Sequence, residues 1–488
     1  MSPHDLKRRE FIKSLLATLS IGALDWSAFP FGTRTKTNEN EFDAIIIGSG
    51  LGGLSCAAAF ARQRFKPLVL EQHSKPGGYA TTFERQGFVF DVSLHSTGVG
   101  ERNGVHNLIP GFPEITDVEF VPHPILYRAI FPDYDIRVPQ KNVRQYIETL
   151  IGYFPDEKEG IEGIFEDMRG LLTDVRKISA ARGQVDMSRF AEEYPSLFTN
   201  AGKTWGQMVD ARLKNPKLKA IVSSLWGYYG LPPSRLSPFY YAVKTENGEE
   251  FTARAVISNA SAHETFNKML GEPEFLKDYL AQLEKYSVSL SSFQVFLGLK
   301  KDLIGEVGIK DTEIFFNPGY DPDEDYRHML EADVSGGFGL TLYDNLYRGY
   351  SPEGKNTLNI LTLQGYDHWK PYEIDYFKGN KAAYRAEKER MANILIDEVE
   401  KALLPGLRKA IEVIEIGTPL TNVRYTSNYR GAVYGWDQTL NNSGQTRLSQ
   451  KTPVKNLYLA GAWTRPGHGY GAVIPSGLQC FAQIMSEW

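Results

Sequence analysis

The sequence predicts an α/β fold: a Rossmann-like parallel-sheet domain with a GxGxxG turn, into which a second, α+β domain is inserted. Three observations predict it. Phe42 to Glu71 reads strand, glycine turn, helix, strand, acid, which is one complete βαβ unit. Asn456 to Trp488 reads strand, glycine loop, helix. Most of the chain lies between these two ends and mixes strand-like runs with amphipathic helical stretches.

The first unit carries its chemistry in the residue types. Phe42 to Ile47 is a short apolar run suited to a buried parallel strand. Gly48-x-Gly50-x-x-Gly53 follows at once. Gly48 permits the tight turn, Gly50 lets backbone approach a pyrophosphate, and Gly53 lets the helix pack on the strand; Gly52 belongs to the same loop. The Ala-rich segment Leu54 to Arg62 favours a helix, whose N-terminal N–H groups face the diphosphate. Pro67 to Leu70 reads as the second strand, and Glu71 stands 18 residues past Gly53, placed to accept hydrogen bonds from a ribose diol.

Bulk properties bound the rest. At roughly 100–200 residues per domain, 488 residues make more than one domain. Hydrophobic residues at 42% and charged residues at 23% are ordinary for a globular chain with a core. A net charge of −5 and a pI near 6.1 argue against a large nucleic-acid surface. With only Cys56 and Cys480, neither a disulfide framework nor a zinc cluster is expected, and both thiols read as buried and inert. No metal site is expected. Aromatics at 12% serve core packing or line an apolar cavity.

The N-terminus reads as a targeting segment. Ser14 to Leu24 is far short of the roughly 20 apolar residues that span a bilayer, and Lys7, Arg8, Arg9 and Lys13 precede it. KRREFIK resembles the twin-arginine export motif. That implies loading of any cofactor before export and work outside the cytoplasm. No A-x-A site follows, and Asp25 and Trp26 stand where small residues are expected, so retention as a membrane anchor is the alternative to cleavage. Residues 32–41 read as a polar linker.

Seven residues past Glu71 comes Gly77-Gly78, followed by Thr81 and Thr82. This extended form, GxGxxG…E…GG…T, resembles the FAD-binding half of the amine oxidase and carotenoid desaturase superfamily. FAD is therefore the expected cofactor, with Thr82 beside it. Gly467-x-Gly469-x-x-Ala472 meets a relaxed glycine pattern, but Pro475 is expected to interrupt a helix there, so no separate NAD domain is expected. In the same superfamily a stretch like NLYLAGAWT…PGHGYGAVIPSG closes over the flavin. The resemblance thus implies cofactor contacts at Gly461, Gly469, Ser476 and Gly477, with a helix beginning near Ser476–Gly477 whose positive end faces the isoalloxazine.

LEQHSKPGG and TTFERQGFVFDVSLHSTGVG narrow the resemblance to the phytoene desaturase, carotenoid isomerase and retinol saturase branch. WGYYGLPPSRLSPFYYA (Trp226 to Ala242) and TPLTNVRYTSNYRGAVYGW (Thr418 to Trp436) are similar to its substrate-domain and pre-flavin stretches. The chain departs from the branch at three places. Tyr79 stands where many relatives have Arg. Asp91 is followed by Val92-Ser93-Leu94-His95 rather than Gly-Pro. After Pro238 the glycine pair, helix and strand that normally follow are missing, and Tyr240 to Ala242 runs directly into an Asn247-Gly248 hairpin and a return strand, Val256 to Ala260. Such a loss weakens adenine binding.

The expected organisation is a signal and linker over 1–41, an FAD domain from 42–104, 243–262 and 450–488, and a substrate domain from 105–242 and 263–449. Tyr384 to Leu403 reads as an amphipathic helix, and NILTLQG and SSFQVFLGLKK as strands. No HExxH, CxxC or GxSxG occurs, as befits a protein whose cofactor supplies the reaction. His95 and His468 are the catalytic candidates, each weighed against a purely structural role. The resemblance implies an FAD-dependent oxidoreductase that desaturates, saturates or isomerises carbon–carbon bonds of an apolar isoprenoid such as a carotenoid or retinoid-like polyene, in contact with a membrane surface. A flavin amine oxidase and a degenerate, FAD-poor binder of apolar ligands are the alternatives.

Overall fold

A computed structural model describes residues 41–93, 121–140, 142–180, 188–200, 202–236, 252–440, 442–443 and 447–488, with residues 29, 112 and 186. The twin-arginine segment, His95, the stretch after Pro238 and the Asn247-Gly248 turn lie outside the described residues.

Strand β1 (Glu41–Ile47) leads through the glycine turn into helix α1 (Leu51–Arg62), which returns the chain to β2 (Pro67–Leu70). Small residues on α1, Cys56, Ala57 and Ala59, let it lie close on the sheet. A hairpin follows, β3 (Thr82–Arg85) and β4 (Phe88–Asp91), then β5 (Ile125–Ile130), β6 (Asp135–Pro139) and the long helix α2 (Lys158–Ala180). Next come β7 (Thr252–Ser258), β8 (Ser291–Leu299), β9 (Glu313–Phe316), α3 (Pro322–Leu330), β10 (Phe338–Thr341) and β11 (Asn356–Gln364). The chain closes with α4 (Lys370–Phe377), α5 (Ala382–Ala402), β12 (Ile411–Gly417), α6 (Pro419–Thr426), β13 (Leu457–Leu459) and α7 (Tyr470–Met485).

Two sheets organise these elements. The first is parallel, in the order β13-β7-β1-β2, so three distant segments of chain share it. The second has seven strands in the order β12-β8-β11-β10-β9-β5-β6 and is antiparallel except where β5 meets β9. Strand β8 shows why it has two distinct faces. Its odd positions Phe293, Val295, Leu297 and Leu299 enter the core with Leu395, Ile396 and Val399 of α5. Its even positions Ser292, Gln294 and Phe296 face a cavity, as the strand's period of two requires. Among the described residues, no helix is long and apolar enough to cross a membrane.

Two expectations at the C-terminal end are corrected. The strand expected over Asn456 to Thr464 is confined to Leu457–Leu459, because Gly461, at φ 88°, turns the chain out of the sheet. The last helix begins at Tyr470 and runs through Pro475, rather than starting near Ser476. Pro475 forfeits only the hydrogen bond to Gly471, an exposed residue at the cavity wall, and Ser55 Oγ donates to the carbonyl of Ile474 next to the proline at 2.9 Å. Cys56 on α1 and Cys480 on α7 are fully buried and face each other, and burial with this contact holds the Cys480 thiol well above the usual range.

Candidate functional site: a flavin cradle opening on an apolar cavity

A cavity of ≈ 1390 Å3 lies between the C-terminal edge of the parallel sheet and the second sheet. Two helix N-termini open on it. Helix α1 starts after Gly50 with no side-chain cap and no acid in its first turn. Helix α7 starts after Gly469, at φ 75°, equally bare. Uncapped N–H groups and the positive ends of two dipoles thus face one space, the arrangement that binds a diphosphate and a reduced flavin.

The backbone around that space is packed without room for side chains. A Cβ on Gly53 would lie 2.0 Å from Gly48 O, one on Gly477 2.0 Å from Gly52 O, and one on Gly52 2.7 Å from Gly461 Cα. These contacts bring α1, the turn after β13 and α7 together. Gly50, Gly77, Gly78, Glu71, Thr82 and Gly469 line the cavity itself. Gly48, Gly52, Gly53, Gly461, Ser476 and Gly477 stand behind its wall and shape it. Ser476 lies mid-helix, fully buried, accepting from Gly461 N at 2.9 Å and donating to Arg465 O at 2.6 Å, so the direct flavin contact expected of Ser476 and Gly477 becomes one of holding the loop in place.

Glu71 is fixed by its own neighbours. Its carboxylate accepts from Ser49 N at 2.8 Å, Ser49 Oγ at 2.5 Å and His73 N at 2.9 Å. Both Ser49 donors meet Oε2, so Oε1, which takes only the His73 N–H, is the oxygen with a second lone pair for a ligand hydroxyl. Asn259, at the end of β7, donates to Gly48 O at 3.3 Å, and its Oδ1 is buried with no protein partner on the cavity wall. An unspent buried amide, two bare helix ends and a glycine cradle fit a bound dinucleotide.

His468 lines the cavity but is not free to act as an acid. Gln438 Nε2 lies 2.7 Å from its Nδ1, and its Nε2 lies 3.2 Å from Tyr228 O. Burial, then the positive charge of Arg447, holds its pKa well below the usual imidazole range, so the ring is neutral. It ties the Pro466–Gly469 loop to Tyr228.

Three further residues stand at or behind the cavity wall: Tyr79, marked in the sequence by its departure from the resemblance, and Asp325 and Arg447, which had no signal there. Tyr79 reaches Gly431 O at 3.5 Å, and burial pushes its pKa up to about 12, so it offers a neutral hydroxyl. Asp325 on α3, 7% exposed, has its carboxyl raised to about 7 by burial. It is a cavity-wall group that holds a proton near neutrality. Arg447, 1% exposed, donates to the carbonyls of Tyr434 and Trp436 at 3.2 Å and Ala462 at 2.9 Å. Nothing in local pattern marks Asp325 or Arg447; burial contributed by distant segments makes them special.

Asp325 carries a stability prediction with a definite sign. Its folded pKa lies above its ordinary one, so the folded state binds the proton more tightly, and this contribution to stability is lost as pH rises toward about 7. Asp325→Asn mimics the protonated form. The contribution is fully present only below the ordinary value of 3.8, so thermal melts should show the variant more stable than the parent at pH 8 and by a clearly smaller margin at pH 5. Equal differences at both pH values would refute the assignment.

The flavin containing amine oxidoreductase model matches residues 230–484, just over half of the chain. The chain belongs to that family. Residues 46–105 also match an NAD(P)-binding Rossmann-like domain, which takes in the end of β1, the glycine turn, α1 and β2 of this flavoprotein oxidoreductase. The chain is 25% identical to prolycopene isomerase 2, chloroplastic, of an Oncidium hybrid cultivar, over 92% of this chain and 84% of that protein. It is 24% identical to the all-trans-retinol 13,14-reductase of Danio rerio, over 92% of this chain and 86% of that one. The fold is shared with cyclohexylamine oxidase from Brevibacterium oxydans, with a TM-score of 0.53, 14% identity and coverage of 91% and 99%. The isomerase alignment spans 518 positions, more than the 488 residues of this flavoprotein, so that relative carries stretches this chain lacks.

Proposed function

We propose that this FAD-dependent oxidoreductase acts on carbon–carbon bonds of an apolar isoprenoid, a carotenoid or retinoid-like polyene, by desaturation, saturation or isomerisation. The observation that carries the reading is the cavity. At ≈ 1390 Å3 it exceeds the roughly 300–1,000 Å3 of a usual small-ligand pocket, and Phe296, Phe315, Phe316, Phe338, Leu361 and Leu363 make an apolar part of its second-sheet wall, beside polar Ser292 and Gln294. That wall excludes water and accommodates a long hydrocarbon beside the flavin cradle. The resemblance to a carotenoid isomerase and a retinol reductase along nearly the whole chain supports the same class.

The bound flavin supplies hydride chemistry. The chain's own part is to hold it by the bare N-termini of α1 and α7, with Glu71 on the ribose side and Tyr79 and Thr82 beside the cradle. The apolar wall positions a substrate carbon against it. Asp325 is the wall group able to hand over or take up the proton that accompanies hydride at carbon. We further propose that the twin-arginine segment exports the loaded protein, so that it works outside the cytoplasm.

The purified protein, reconstituted with FAD, should show flavin absorbance bands. Under anaerobic conditions a polyene or its saturated partner should change the flavin spectrum, and an alkylamine should not. Bleaching by the amine alone would establish the amine oxidase reading. A protein that takes up no flavin but binds the polyene would establish the apolar-ligand binder.

A further inference from the structure

Four cations line one end of the cavity, where α4, α5, α6 and the hairpin β3–β4 surround its mouth. Lys381 immediately precedes the first turn of α5, and Arg385 and Lys388 follow it at helical spacing, on one helix face. Arg424 comes from α6. Among the described residues none of the four forms an ion pair. Several acids around them have other partners: Glu415 meets Arg85 at 2.7 Å, Glu387 meets Arg390 and His368, and Glu373 is hydrogen-bonded to Tyr366. Glu84 at the mouth, Glu389 on α5 and Asp375 on α4 complete the acids nearby.

Such a cluster is unfavourable as it stands. Cations at a helix N-terminus oppose the dipole, so they do not serve the stability of α5. Burial, then the charges of Arg424, Arg385 and Lys388, pulls the Lys381 ammonium below its usual range. Burial also pulls Lys388 down, against Glu415 and Glu389 and with the help of Arg385. Hydroxyl groups complete the mouth. Tyr376, Tyr384 and Thr421 line it; Arg424 donates to the Tyr376 hydroxyl, and Lys381 Nζ sits 4.0 Å from the centre of the Tyr376 ring. The same cavity carries the apolar side chains Phe296, Phe315 and Phe338. One space thus joins a hydrocarbon-lined interior to a rim of unpaired positive charge, on a chain whose net charge is −5.

We propose that this mouth binds an anionic end group, a carboxylate or a phosphate, on an otherwise apolar substrate. The hydrocarbon lies along the apolar wall, and the oxyanion takes charge-assisted hydrogen bonds from Lys381, Arg385, Lys388 and Arg424. A neutral hydrocarbon gains nothing from these side chains. An oxyanion relieves their mutual repulsion and their partial loss of water. Anchoring one end also decides which carbon–carbon bond stands against the flavin, so the cations act on regiochemistry as well as on affinity. The proposal rests on the reading of an isoprenoid substrate beside the flavin, and it adds the end group and the residues that recognise it.

The test compares retinol, retinoate and retinyl phosphate, which share one hydrocarbon and differ at the end. Their binding to the full flavin-loaded chain is followed by quenching of tryptophan fluorescence, without turnover. At least one of the two anions should bind about ten-fold or more tightly than retinol, by a margin that shrinks as salt is raised. The tighter of the two identifies the end group. In the triple variant Lys381→Glu, Arg385→Glu, Lys388→Glu that preference should vanish, a loss on the order of 10- to 100-fold in anion affinity. Arg385→Gln with Lys388→Gln, a milder change on the same helix face, should lose part of it. Flavin content and melting temperature report that each variant is folded. Retinol binding as tightly as both anions overturns the proposal, as does a preference that survives in both variants. A folded variant that purifies without flavin shows that the cations serve the cofactor's diphosphate instead, and overturns it too. A parent that prefers an anion yet shows no flavin spectral change with any polyene under anaerobic conditions upholds the end group and refutes the proposed reaction, so either idea can fail without the other.

Discussion

Gly53→Ala should yield a protein that purifies without flavin. The added Cβ would stand 2.0 Å from Gly48 O, a backbone atom fixed by the hydrogen bond from Gly48 N to Leu70 O at 2.7 Å. Neither side can yield without opening the turn between β1 and α1. Helix propensity alone predicts the opposite sign, since alanine is favoured over glycine by about 1 kcal/mol in a helix interior. The sign therefore separates the two accounts. The expected result is loss of flavin absorbance and a lower melting temperature. Gly152→Ala is the control: it sits in a surface helix with nothing within 4 Å of its added Cβ, and should leave both unchanged or raise stability slightly. A Gly53→Ala protein with full flavin content would show that the turn has more play than these contacts allow.

Arg447→Met should cost about 3–5 kcal/mol, the largest stability loss expected of any single polar side chain here. The guanidinium gathers three carbonyls, those of Tyr434, Trp436 and Ala462, which belong to two segments that flank the flavin loop. Methionine keeps most of the volume and leaves three buried acceptors without their donor. Differential scanning calorimetry should show a melting temperature lower by on the order of 5–10 °C. Arg447→Lys should recover part of this, because the three carbonyls all accept from Nη2 and an ammonium carries three donors on one nitrogen, though on a shorter stem. A melting temperature within 1 °C or so of the parent would mean that the carbonyls find other donors.

What could be read from the chain in advance follows the range of the physics involved. The β1-α1-β2 unit was legible because glycines at 48, 50 and 53 answer local needs, a turn, a close approach and a helix–strand contact. The helix Ala382–Ala402 was legible because its buried positions, Met391, Leu395, Ile396 and Val399, recur with helical period. The start of α7 was misplaced because Pro475 is a strong local stop signal, and only the setting of Gly471 and Ser55 shows how the helix continues. Asp325, Arg447 and the cations of α5 gave no signal, since each becomes notable only when segments far apart in sequence bury it or strip it of partners. His468 was legible as a residue at the site, yet its neutral, fastened state depends on Tyr228 and Gln438, far away in the chain.

The order of strands in the parallel sheet sets a timetable. Its outer strand, Leu457–Leu459, and the second bare helix end at Tyr470 are made long after their partners β1 and α1, with the whole second sheet between them. At about 5–20 residues per second the first helix waits tens of seconds for the second. Throughout that wait the nascent chain holds half a cradle, exposing an apolar sheet edge and a glycine turn with nothing to clasp. A chain stalled or cleaved before Leu457 never completes it. Flavin colour is thus a receipt for synthesis past the helix at Tyr470, and a chaperone that shields the first unit during synthesis should raise the coloured fraction without altering the finished protein.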